Sequence, residues 1–146
     1  VVQAHAEEGL ADNRVFKIEA GVEVTIHGLE IRHGRVAGNL AQGGGILNDG
    51  TLTLEESAVS ANLVVGLDGS PVGGTGSGGG IYNNGSLTIV RSTIGDNAAR
   101  GGSGSSGDAD GGDALGGGIA NSEDGDLTLV NSTVSGNMAE YGDGYG

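Results

Sequence analysis

The sequence predicts an all-β solenoid, a coil in which short parallel strands stack copy upon copy. Two observations carry this. First, one pattern occurs three times: GGGILNDGTLTLEESAVSAN at residues 43–62, GGGIYNNGSLTIVRSTIGDN at 78–97 and GGGIANSEDGDLTLVNSTVSGN at 116–137. Repetition at a fixed period constrains the architecture before any single residue is read, because one copy cannot bury its apolar face alone. Second, the period inside each copy is 2: Leu52 and Leu54 flank Thr53, and Ser57 and Val59 share one parity. That is strand alternation, and the runs are separated by Gly and Asn, which suit corners.

Aligned on the triple glycines, the copies give three short strands each. Ile46, Ile81 and Ile119 form one column. Leu52, Leu87 and Leu127 form a second, and Val59, Ile94 and Val134 a third. In a parallel stack about 4.8 Å apart, like residues become ladders. The columns Asn48/Asn83/Asn121 and Asn62/Asn97/Asn137 are expected to be amide ladders at two corners. The third copy carries a two-residue insertion before Gly125. Ile46 to Ile81 is 35 residues and Ile81 to Ile119 is 38, so the copies differ mainly in the Gly/Ser/Asp-rich stretches after each closing residue: 35–42, 63–77 and 98–115. These are expected to be mobile loops hanging from one corner, with the only proline, Pro71, in the second.

GGGI followed by VSAN, IGDN or VSGN resembles the GGA[ILV] and FxxN repeats of polymorphic outer-membrane proteins, and more widely the bacterial surface proteins with right-handed parallel β-helix repeats. The resemblance covers nearly the whole chain. It implies a right-handed coil and a surface or extracellular location, and specifies no chemistry. Val59, Ile94 and Val134 stand where the family often has Phe.

The remaining chain fits a single domain, residues 1–146, of about four turns. Residues 1–14 read as a partial first turn and a polar connection; AHAEEGLA could form a short helix, although eight residues are marginal alone. Residues 15–42 read as a degenerate turn, in which Ile18 is aligned with Ile46, Val24-Thr25-Ile26 with Leu52-Thr53-Leu54, and Ile31 with Val59. There Leu29 replaces the inward Ser and Gly34 the closing Asn. Residues 43–77, 78–115 and 116–146 are the three repeats. The chain opens VVQAH, without Met or a leader-like stretch, and closes on YGDGYG, so it is expected to be a processed product or a piece of a longer protein whose two ends both continue the stack.

Composition narrows the function classes. Aromatics are 3% of residues, which suits a thin core of aliphatic ladders, and Gly, 33 of 146, shows no collagen period. Without Cys there are no disulfides or thiolate metal sites. A net charge of −13 argues against nucleic acid and anionic membrane surfaces. No apolar run is long enough to span a bilayer as a helix.

Asp108, Asp110 and Asp113 in GDADGGD are the candidate calcium ligands, although the spacing fits neither an EF-hand loop nor a calcium-binding β-roll nonapeptide. Thr25, Thr53, Thr88 and Thr128 form an outward Thr column. No second matched column accompanies it, so ice binding has weak support. Asn84 and Asn131 match N-x-[ST] and are glycosylation candidates if the protein is exported. His5, His27 and His33 lack ligand spacing, and Arg91 and Arg100 lack placeable partners. With no cofactor motif and no paired carboxylates on the outward strand positions, the expectation is not an enzyme but an extracellular structural module that stacks end to end on copies of itself or on further β-helix turns. The alternatives are an adhesin segment binding glycan through its loop side, and, behind it, a polysaccharide lyase or hydrolase.

Overall fold

The computed structural model describes residues 1–7, 9, 13–69, 71–104 and 110–144. The fold is all-β: 20 strands lie in five parallel sheets, and no helix forms among the described residues. The short helix considered at the N-terminus falls partly outside those residues; Ala4 to Glu7 are bends and Gly9 is in a turn.

The chain begins with β1 (Val2–Gln3). The degenerate first copy follows as β2 (Phe16–Ile18), β3 (Glu23–His27), β4 (Glu30–Arg32), β5 (Arg35–Gly38) and β6 (Leu40–Gln42). The second copy repeats this as β7 (Ile46–Asn48), β8 (Thr51–Glu55), β9 (Ala58–Ser60), β10 (Leu63–Gly66) and β11 (Thr75–Ser77). The third is β12 (Ile81–Asn83), β13 (Ser86–Val90), β14 (Thr93–Gly95), β15 (Ala98–Arg100) and β16 (Ala114–Leu115). The last is β17 (Ile119–Asn121), β18 (Asp126–Val130), β19 (Thr133–Ser135) and β20 (Met138–Glu140). Each sheet takes one strand from successive copies, as in β2-β7-β12-β17 and β3-β8-β13-β18.

Ile81 pairs with Ile46 and Ile119, Leu87 with Leu52 and Leu127, Ile94 with Val59 and Val134. In the inner copies these side chains are almost wholly buried, and with Leu54, Ile89, Ile18, Ile26 and Ile31 they make the main core. Each fully buried side chain of this size contributes roughly 1.5–3 kcal/mol.

Three sequence expectations are corrected. There are five strands per full copy, not three, because the stretches 35–42, 63–77 and 98–115 each hold two more. Those strands enclose a second, smaller core of Ala41, Val64, Ala99 and Ala114. With inward residues this small, the two sheets approach closely and alternation is faint. The glycines between them provide closeness rather than slack: amides of Gly74, Gly102, Gly112 and Gly142 donate in turn to the carbonyls of Leu67, Gly74, Gly102 and Gly112, at 2.7–3.0 Å. An added Cβ on Gly73 or Gly142 would overlap the Gly102 carbonyl oxygen.

The degenerate copy is also shifted by two residues. Phe16, not Ile18, pairs with Ile46, and Ile18 lies opposite Asn48. Four residues separate Ile18 from Glu23, where two separate Asn48 from Thr51, so this copy carries an insertion like that of the last one. Parity is preserved, and Ile18 still points inward.

Thirdly, the two ends differ. In the first copy Ile18, Ile26 and Ile31 are 0–6% exposed, and β1 adds a strand beyond β4, pairing Val2 with Ile31. In the last copy Leu127, Leu129 and Val134 are 37–48% exposed. The inward residues are buried at one end and half-exposed at the other, although β2, β3, β5 and β6 are edge strands just as β17 to β20 are.

Candidate functional site

Three columns of positive φ turn the coil. Gly43, Gly78 and Gly116 precede the first strand of a copy; Gly28, Glu56, Arg91 and Asn131 follow the second; His33, Ala61, Asp96 and Gly136 follow the third. The left-handed region is costly for a residue with a Cβ. At the last two columns the chain holds it with a polar side chain on the next residue. Ser57 Oγ and Ser92 Oγ donate to the carbonyls of Glu55 and Val90 at 2.8 Å. Asn62 and Asn97 donate to the carbonyls of Ser60 and Gly95 at 2.9 and 3.0 Å. At the first column the residue must be glycine for space as well, since a Cβ on Gly78 would overlap the Ile81 carbonyl oxygen.

This glycine corner brings the outer face of β6-β11-β16 against that of β7-β12-β17, and a groove of about 690 Å³ lies between them. Tyr82, Leu40 and Leu115 supply its apolar surface; Gln42, Thr75 and Asn121 supply amide and hydroxyl groups. Leu40 and Leu115 are 66% and 50% exposed, an open apolar surface on an otherwise acidic protein. Glu123 and Asp124 stand at one side, on the turn created by the insertion in the last copy. Leu40 and Leu115 were assigned to loops, so the groove was not foreseeable without the two extra sheets.

The other sequence candidates are scattered. Asp108 lies outside the described residues. Asp110 and Asp113 are exposed, and their carbonyls accept from the amides of Gly73 and Gly76 at 3.3 and 2.9 Å. Among the described residues no three His, Cys, Asp or Glu side chains are grouped to hold a metal ion. Asn84 and Asn131 are both exposed, and Asn84 Oδ1 accepts from Ser122 Oγ at 2.8 Å. Thr25, Thr53, Thr88 and Thr128 pair in one row across β3-β8-β13-β18.

Arg91, without a placeable partner in the sequence, bridges Glu55 and Glu56 of the copy before it at 2.6 and 3.0 Å. Those two hydrogen bonds raise its pKa above the usual guanidinium value. His27 Nε2 is 3.4 Å from Glu56 Oε2, so the cluster spans three copies. Arg100 pairs with Glu140 at 3.3 Å. Arg14 is the opposite case: burial lowers its pKa against the raising effect of Asp49. Its guanidinium donates to the carbonyls of Gln42 and Gly43 at 3.1 and 3.3 Å.

No protein-family model, curated protein or solved structure matches this chain.

Proposed function

We propose that this chain is a non-enzymatic structural module of the cell surface or extracellular matrix. In this reading it is a right-handed parallel β-helix of about four turns, similar to the repeats of polymorphic outer-membrane proteins, which joins further β-helical layers end to end. One observation carries it. Leu129 and Val134 are 47% and 48% exposed on the last copy, where their counterparts Ile89 and Ile94 one copy earlier are fully buried. Such a face, with strand edges unpaired, is a template for another layer. The module needs no cofactor. Electron microscopy of the protein as its source displays it is expected to show rods much longer than a module of four layers, roughly 20 Å. Isolated single modules would overturn the reading.

The groove favours a second reading, an adhesin that binds glycan. An aromatic ring beside aliphatic and amide side chains suits the apolar face and hydroxyls of a sugar. Glu123 and Asp124, with a net charge of −13, select neutral glycans over acidic ones. Both carboxylates leave one exposed turn rather than flanking a bond from opposite sides, as glycosidic cleavage takes. Tyr82→Ala is expected to weaken neutral-oligosaccharide binding at least about tenfold in a calorimetric titration; unchanged binding would remove the groove from consideration.

A further inference from the structure

The open end carries a specific code, set by how one copy hydrogen-bonds to the next. The amides of Leu29, Ser57 and Ser92 donate to Oγ of Ser57, Ser92 and Ser132 respectively, at 3.0–3.1 Å. The amides of Gly34, Asn62 and Asn97 donate to Oδ1 of Asn62, Asn97 and Asn137, at 2.9–3.1 Å. Asn48 and Asn83 pass an amide hydrogen to Oδ1 of Asn83 and Asn121, both at 2.7 Å. Each copy therefore depends on side-chain oxygens of the copy after it. In the last copy, Ser132, Asn137 and Asn121 have no following copy among the described residues to supply them.

A second molecule stacked head to tail could not supply them either. Its first copy has Leu29 where the Ser belongs, Gly34 where the closing Asn belongs and Ile18 where the first Asn belongs. One edge of that first copy is also already occupied, with Ile31 fully buried and paired to Val2.

We infer that the open face is a docking surface for one kind of occupant: a parallel β-layer carrying the same GGG-led repeat, with Ser and two Asn in register, and not for the N-terminal end of a second copy. The inference rests on the structural reading above and names the partner it requires. The proposed interface continues the one between the third and last copies, where the same three columns are filled.

The test is to replace residues 141–146 with a second copy of residues 101–140, and to follow hydrogen exchange at the amides of the original Ser132 and Asn137. The added layer is expected to slow both at least about tenfold, since each gains a buried acceptor. With Ser132→Leu and Asn137→Gly made in the added copy only, the slowing should vanish at both amides. Ser132→Thr in the added copy, which keeps an Oγ, should restore it at Ser132, showing that the effect is the oxygen and not a detached layer. Equal slowing by the Leu/Gly layer would overturn the code while leaving end-to-end stacking intact. No slowing by either layer would overturn both. Concentration-dependent protection in the unextended chain, accompanied by dimers or oligomers in sedimentation, would show instead that a second copy covers the face.

Discussion

Asn97→Ala is expected to destabilise the protein by about 3–5 kcal/mol, since each buried group left without a partner costs roughly 1–3 kcal/mol. Asn97 is 1% exposed and joins three copies. Its Oδ1 accepts from the amide and the side chain of Asn62 at 3.1 and 2.9 Å. Its Nδ2 donates to the carbonyls of Val59 and Gly95 and to Asn137 Oδ1, at 2.9–3.0 Å. Alanine abandons all five interactions at a corner where Asp96 holds a φ of 55°. Thr88→Ala, on the outward face of the next sheet, should cost under about 0.5 kcal/mol. Urea titrations of the two variants check this; similar midpoints would mean that the amide ladder is incidental.

The second large effect is steric. Gly79→Ala should cost about 3 kcal/mol or more, at the upper end of overpacking, because backbone lies on both sides and cannot fold away as a side chain could. An added Cβ would overlap the carbonyl oxygens of Ala98 in the same copy and Gly117 in the next. Gly79 also spans copies through its own backbone: its carbonyl accepts from Gly45, and its amide donates to Gly116, both at 3.2 Å. To make room, the copies must separate and stretch those bonds. Gly28→Ala is the informative contrast. Its φ is +67° but nothing lies within 4 Å, so only the left-handed conformation is penalised, by roughly 1–2 kcal/mol. If Gly79→Ala costs no more than Gly28→Ala, the close approach of backbone does not explain the glycine at position 79.

Which parts of this were legible follows from how strongly each residue signals on its own. The columns through Ile81, Leu87, Ile94, Asn83 and Asn97 could be read because identical residues recur at identical offsets, and parallel pairing places like over like. The strands of the second core could not. Ala41, Gly76 and Ala114 form one inward column, and such small residues leave no alternation to detect. The two-residue shift at Ile18 was hidden because it preserves parity.

The sequence by itself determined a stack of parallel strands, its main ladders and its two amide corners, because a repeat that cannot bury its own apolar face has to lie on its neighbours. Only the tertiary structure decided the rest. It placed Glu56 and Arg91 in left-handed corners, where their residue types give no hint of positive φ. It brought Leu40, Tyr82 and Leu115 to one groove from two copies and two sheets. It also buried the inward residues of the first copy and left those of the last half-exposed, because exposure depends on what lies above a strand and not on the strand's own residues.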